Sequence, residues 1–413
     1  MKIDKRGRAK YKPSLDLNIE EIKKFLNEKI EEEMVLHDLK YDLEGTLHYN
    51  IGKLNLVSLF CGAGGLDLGF ELAGLQATIG DDEALEAFKD KKTYDIVRNQ
   101  SVFHTVFAND FFKEALDTYK VNHQDHVNVL NGDIRKMKEF PDADIVLGGF
   151  PCPGFSEAGP RLIDDKRNFL YLQFIRCLIQ SKPAIFVAEN VKGMLTLGKG
   201  EVFKQIKEDF ESVGYKVTHK LLNAREYGVP QLRDRVFLVG VRNDIDFNYE
   251  FPSPTHGIGE GKAPFITLED AIGDLRESPG RSYEGSFSSI YMSRNRKKAW
   301  HEQSFTIQAS GRQAPIHPDG VPMRKKGVDS WEFPDGEENN RRLSVKEIQR
   351  IQTFPDWYEF CSGAEEGNMR NAHVDKVYKQ IGNAVPVMLA RAVARPIAEW
   401  AKTYVANNNK VLQ

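Results

Sequence analysis

The sequence predicts an α/β protein in two parts: a mainly parallel sheet with helices on both faces, then a smaller irregular unit. Three observations predict it. Short apolar runs recur with amphipathic helix candidates between most of them; that alternation is how a sheet buried on both faces is written. The alternation stops near Arg242, and Pro, Gly and Ser then punctuate the chain from Phe251 to Ser289. The length of 413 residues, with 41% hydrophobic and 28% charged residues, suits two ordinary domains.

In chain order, residues 1–50 read as an N-terminal extension. Met1 to Lys12 is basic and polar with no apolar core, so no secretory signal is expected. Ile22, Phe25, Leu26 and Ile30 give a helical stripe between Ile19 and Leu39. Glu31, Glu32 and Glu33 read as a solvated helix face. Strands are predicted at 54–60, 106–108, 127–130, 145–147, 184–187 and 236–239, and 76–105 reads as an insertion. Helical periodicity returns at 344–352 and 387–404. The resulting division is a larger domain over 51–241, a smaller one over 242–340, a linking segment over 341–374 and a return to the first domain over 375–413.

Composition excludes several classes. The four cysteines, Cys61, Cys152, Cys177 and Cys361, form no Cys-x-x-Cys pair. Neither a metal site nor a disulfide framework is predicted, and a cytoplasmic setting fits. No apolar run is long enough to span a membrane. The net charge of −3 gives no global sign of a polyanion partner, so local charge must carry that argument.

The run Gly148-Gly149-Phe150-Pro151-Cys152-Pro153-Gly154-Phe155-Ser156 sets one cysteine between two prolines, just past an apolar strand. Proline fixes φ and removes an amide donor, so this backbone is held. A strand end in an α/β protein is where a nucleophile belongs, although a buried structural thiol is the commoner fate of a free cysteine. The first strand runs into Phe60, Cys61, Gly62, Ala63, Gly64 and Gly65 ahead of a helix. Glycines there let backbone approach a ligand at a helix N-terminus. Asp110 and Asp133 end the next two strands, as ligands of an adenosine-type group or as helix N-caps.

Together these segments resemble a cytosine-C5 DNA methyltransferase of the bacterial type, over roughly residues 54–395 and in the family's order. Leu59 to Gly65 resembles the S-adenosylmethionine loop, Asn109-Asp110-Phe111 the ribose and adenine motif, and Gly132-Asp133-Ile134 the adenine-amine segment. Phe150-Pro151-Cys152 is similar to the nucleophile loop, Glu189-Asn190-Val191 to the acid motif and Gln231-Leu232-Arg233-Asp234-Arg235 to the paired-arginine motif. Arg342-Leu343-Ser344-Val345 and Arg350 to Pro355 resemble the segment that organises recognition. Gln380 to Pro386, with Asn383 and Val385, resembles the closing motif at the cofactor site. The family usually has Gln where this chain has Pro153, Glu where it has Asp110, and Trp where it has Phe111.

The resemblance implies a Rossmann-like, S-adenosylmethionine-dependent methyltransferase sheet and a chemistry. Thiolate addition by Cys152 at carbon 6 turns cytosine into an enamine able to take a methyl at carbon 5. Glu189, kept protonated by burial, would donate toward N3. Arg233 and Arg235 would hold the cytosine O2, a phosphate or the acid; a surface salt-bridge pair is the plain alternative. The target must be flipped out of the duplex.

The stretch from Tyr291 to Lys326 is basic, and its place in the family's variable region makes it the expected DNA contact. Arg294, Arg296, Lys297, Lys298 and Arg312 supply charge, while Thr306, Arg312 and Gln313 can read base edges. The expected function is methylation of a short specific duplex DNA sequence by a monomer, with a cognate restriction endonuclease as functional partner. An RNA cytosine methyltransferase and a non-catalytic DNA-binding regulator are the alternatives.

Overall fold

The computed structural model describes residues 17–43, 46–151, 168–338, 340–365 and 368–409. Its centre is a seven-stranded sheet of β1 (Leu54–Leu59), β2 (Phe103–Asp110), β3 (Asn128–Asn131), β4 (Ile145–Gly148), β5 (Ile185–Val191), β6 (Tyr215–Asn223) and β8 (Asp234–Arg242), the two-residue β7 (Gln231–Leu232) lying outside it. The spatial order is β3-β2-β1-β4-β5-β8-β6. The first five strands pair in parallel, while β8 enters antiparallel between β5 and β6. This refines the expected parallel sheet. The apolar run of β8 is buried whichever way it points, so burial alone could not reveal its direction. β6 has no counterpart in the sequence prediction, because Lys216, Thr218, His219 and Lys220 dilute its apolar residues at the sheet edge.

Both faces of the sheet are covered. Val57, Leu59, Phe107, Val146, Phe186 and Leu238 face α6 (Asn168–Ser181), α7 (Glu201–Ser212) and the N-terminal α1 (Ile19–Leu36). Leu56, Ile145, Leu147, Ile185, Val187 and Val239 face α2 (Gly65–Ile79) and α11 (Val387–Asn409). These two helices lie so close that a side chain on Gly69 would come 2.4 Å from the Ala390 Cβ. α1 buries Ile22, Leu26 and Ile30 in the main core. Its Glu33 is also buried, 3.2 Å from His37, so the expected solvated face holds for Glu31 and Glu32 only.

Residues 76–105 form α3 (Asp81–Phe88) and α4 (Lys91–Val97) between the end of α2 and β2, and α5 (Lys113–Asn122) follows β2. Tyr94 is fully buried, its ring 5.6 Å from that of Trp357, and Arg98 ion-pairs with Glu71 at 2.9 Å. Beyond β8 the chain is irregular, with α8 (Leu268–Ile272), the short β9 (Ser304–Phe305) and a hairpin of β10 (Arg324–Gly327) and β11 (Ser330–Glu332). Its core, with Leu268, Ile307 and Leu343, is shared by α9 (Val345–Ile351) and α10 (Asn371–Asn383). No helix among the described residues is long and apolar enough to cross a membrane.

Candidate active site

The chain runs from β1 through β2 to β3 at one edge and returns to β4 on the other side of β1. Such a reversal of strand order opens a crevice at the strand ends. A cavity of about 620 Å³ lies there, lined by the ends of β1, β2, β4 and β5 and by α10. That volume lies in the range of small-molecule and cofactor sites.

One wall is the loop after β1. Phe60, Gly62 and Gly64 have φ of +56°, +54° and +80°. A non-glycine residue such as Phe60 pays about 1–2 kcal/mol for that conformation. A Cβ on Gly64 would fall 2.3 Å from the His123 ring, and one on Gly65 2.4 Å from the Val385 carbonyl, whereas nothing lies within 4 Å of the Gly62 position. Gly62 therefore turns bare backbone toward a ligand, while Gly64 and Gly65 let protein pack behind it. Ala63 is buried in the same turn.

The Asp110 carboxylate accepts from the Gly62 amide at 2.9 Å and the Phe112 amide at 2.8 Å. Burial raises its pKa against the pull of those amides. Its neighbour Phe111 is 77% exposed, a flat apolar face at the rim of the cavity. Asp133 accepts from the Arg135 amide at 3.1 Å and ion-pairs with that guanidinium at 2.6 Å. It is a cap, one of the two roles the sequence allows, and it still lines the cavity with the buried Ile134. Asn383 and Val385 complete the far wall.

The second part of the site lies at the ends of β4 and β5. Phe150 is 2% exposed inside an aromatic cluster, with ring centroids 5.2 Å from Tyr171 and 5.6 Å from Phe174. Asn190 donates to the Phe150 carbonyl at 3.1 Å and fixes the chain just before Pro151. Cys152 lies outside the described residues. Glu189 is buried, and its Oε2 lies 3.4 Å from the position a Cβ on Gly149 would take, three residues before Cys152. Arg235 Nε meets Glu189 Oε1 at 2.9 Å. Burial raises the Glu189 pKa, and the charges of Arg235 and then Arg233 oppose it.

Arg233 is placed differently from the expectation. It is fully buried, outside the cavity lining, and donates to the carbonyls of Ile307 at 3.1 Å, Gly382 at 2.8 Å and Ala384 at 3.0 Å. Its strand neighbour Gln231 donates to Gln352 at 2.8 Å, and Gln352 donates to the Ile381 carbonyl at 2.6 Å. Three of the motifs read in the sequence thus interlock in one buried polar network, with Arg233 bonded to two of its partner segments.

The basic stretch is only partly a surface. Arg296 and Lys297 are buried: Arg296 donates to the Tyr291 carbonyl and to Gln313 Oε1, and Lys297 to the His317 carbonyl. This corrects the expectation that both offer free charge; Arg296 lies over the Tyr291 ring, which draws it inward. Gln313 is engaged with Arg296, Lys298 pairs with Glu302 at 2.7 Å, and the Thr306 hydroxyl donates to the Leu232 carbonyl at 2.6 Å. Arg294 and Arg312 are exposed, the latter donating to the Tyr283 hydroxyl at 3.0 Å.

Lys379 and Asp67 are among the cavity residues that the sequence reading did not single out. Lys379 lies four residues before Asn383 on α10 and has no carboxylate within ion-pair distance among the described residues; helical spacing could have found it. Asp67, in the first turn of α2, is buried and accepts from Ser58 and Tyr119, each at 2.9 Å. No sequence signal marks it.

The geometry is that of an α/β enzyme whose ligand loop and buried acid open on one cavity. The sequence matches the C-5 cytosine-specific DNA methylase family over residues 54–399. Type II methyltransferase M.BspRI of Lysinibacillus sphaericus is 63% identical over 99% of this chain and 97% of that protein. M.BsuRI of Bacillus subtilis is 62% identical over 100% of this chain and 95% of that protein. The structure of a Spodoptera frugiperda DNMT2 variant covers 84% of this chain and 99% of that one, with a TM-score of 0.58 at 18% identity, a likeness of fold. The chain belongs to the C-5 cytosine-specific DNA methylase family and is a DNA cytosine-5-methyltransferase. The RNA-directed and non-catalytic alternatives are not favoured.

Proposed function

We propose that this protein methylates carbon 5 of a flipped-out cytosine in a short specific duplex DNA sequence, with S-adenosylmethionine held in the strand-end cavity. The observation that carries the reading is the position of Glu189: paired with Arg235, against Gly149, on the cavity that the glycine loop also lines. The residues present fit the cofactor. Open backbone at Gly62, the exposed Phe111 ring and the carboxylates of Asp110 and Asp133 suit an adenosine, and the Lys379 ammonium suits an amino-acid carboxylate. When bound, the cofactor supplies an electrophilic methyl group.

The chain's own residues do the rest. Cys152, as thiolate, adds to carbon 6 of the ring, and the electron pair moves toward N3. Glu189 gives a proton to N3 as charge develops there. After carbon 5 has taken the methyl, a water molecule takes its proton, the Cys152–carbon 6 bond breaks with its electron pair returning to sulfur as the thiolate leaves, and the N3 proton goes back to the Glu189 carboxylate. Arg235 orients the Glu189 carboxyl and restrains its pKa. Arg233, Gln231 and Gln352 hold the smaller unit, read as the recognition domain over 242–340, against the sheet. Arg294, Arg312 and the hairpin's exposed Lys325 supply phosphate and base contacts.

The relatives named Type II methyltransferases support a place beside a cognate restriction endonuclease; a cytoplasmic monomer is part of the same proposal. Bisulfite sequencing of DNA from a host expressing the chain tests the reading. Protection of cytosine at one recurrent short sequence is expected; conversion of every cytosine would refute it.

A further inference from the structure

The N-terminal segment touches the cofactor cavity from behind. After α1 ends, the chain reaches Tyr41, which forms a parallel bridge with Met137. The amides of Lys40 and Tyr41 both donate to the Lys136 carbonyl, at 3.0 and 3.1 Å, and the Lys138 amide returns to the Tyr41 carbonyl at 3.0 Å. Lys138 also ion-pairs with Asp42 at 3.0 Å. This fastens residues 40–42 to the strip 136–138, immediately after the Gly132–Ile134 wall.

The Tyr41 ring then rests on that wall. A Cβ on Gly132 would lie 2.6 Å from Tyr41 Cζ and 2.7 Å from its Oη. Gly132 is not among the glycines with positive φ, so the backbone does not demand glycine there. The ring does. Gly132 in turn accepts from Asn109 Nδ2 at 3.1 Å, and its amide donates to the Asp110 carbonyl at 3.2 Å, so its position is shared with the end of β2. The end of α1 also reaches the wall electrostatically: His37 acts on Asp133 and Glu33 on Arg135, as lesser influences behind the direct Asp133–Arg135 hydrogen bonds.

We infer that residues 37–43 form a strap, with Tyr41 as its positioning residue, that sets the Gly132–Ile134 wall for cofactor binding. The inference rests on the reading of the cavity as the S-adenosylmethionine site.

The test is calorimetric titration of the full chain with S-adenosylmethionine, beside DNA binding and thermal melting. Tyr41→Ala is expected to weaken cofactor binding about tenfold, as small displacements in a positioned site do. DNA affinity should stay within about twofold, and Tyr41→Phe, which keeps the ring, should bind like the wild type. Gly132→Ala should also weaken cofactor binding, but add nothing further in the Tyr41→Ala background, because the clash is with the ring. Unchanged cofactor affinity in Tyr41→Ala, or equal loss of cofactor binding, DNA binding and melting temperature, would overturn the strap. So would a Gly132→Ala defect of the same size with and without the ring. Failure of the wild type to bind the cofactor would overturn the reading of the cavity, and the strap with it.

Discussion

Arg235 Nε lies 2.9 Å from Glu189 Oε1, and the two are diagonal neighbours on one face of the antiparallel β5–β8 pair, where Glu189 faces Phe237 and Val191 faces Arg235. Same-face diagonals in a sheet are within reach of long side chains. The direction of β8 therefore brings the second arginine of its motif to the acid. Arg233, two residues earlier and just before β8 begins, turns into the boundary between sheet and smaller unit.

The pair fixes a pH profile. A general acid works only while protonated, so turnover falls as pH rises through the Glu189 pKa. Burial raises that pKa and Arg235 opposes it, so Arg235→Met should move the descending limb to higher pH, with lower turnover. Arg235→Lys should keep the limb near that of the wild type. Glu189→Gln should abolish the limb and slow turnover by about 10²–10⁴-fold. Initial rates across pH check this, and a limb that moves to lower pH in Arg235→Met would contradict it.

Arg233→Met should act on stability. It leaves two buried carbonyls, of Ile307 and Gly382, without this donor, and that of Ala384 with Gln352 alone. Each outright loss costs about 1–3 kcal/mol, so a total above about 2 kcal/mol is expected. Urea denaturation measures it, and a variant as stable as the wild type with altered base preference would contradict the assignment.

Asp67 predicts a stability slope. Burial raises its pKa to about 6 from the ordinary 3.8, against the hydrogen bonds of Ser58 and Tyr119. Between about pH 4 and 6 the folded chain keeps a proton that the unfolded chain releases. Stability therefore falls as pH rises across that window, by about 3 kcal/mol, and stays lower above it. Asp67→Asn should flatten this part of the profile. Denaturation midpoints at several pH values check it, and parallel profiles would refute it.

Affinity for the DNA backbone should follow the exposure of each basic side chain. Neutralising Arg294 or Lys325 should reduce the slope of log affinity against log salt by about one unit for each phosphate that the side chain neutralises. Lys297→Met, at a buried site, should lower stability and leave the slope unchanged. Gel-shift titrations at several salt concentrations decide between the two patterns.

Much of the site is legible in the sequence because its residues sit at strand ends, where short apolar runs announce themselves. The Gly62–Gly65 loop, Asp110, Asp133 and Glu189 all fall there and share one cavity. The rest depends on packing that no local pattern encodes. Arg296 and Lys297 belong to a run that looks solvated, but Tyr291 and the carbonyl of His317 draw them inside. Residues 76–105 read as an insertion because nothing local says that Tyr94 meets Trp357, 263 positions later. Tyr41 is invisible as a functional residue until the fold lays it on Gly132.

The chemistry proposed for this site turns on Cys152 attacking a cytosine in duplex DNA. Mass spectrometry of the protein incubated with S-adenosylmethionine and duplex DNA carrying 5-fluorocytosine at the target site tests it most directly, because fluorine at carbon 5 cannot leave as a proton. A stable protein–DNA adduct mapped to Cys152 and absent from Cys152→Ala is predicted. No adduct on the wild type, or an equal adduct on Cys152→Ala, would contradict the account.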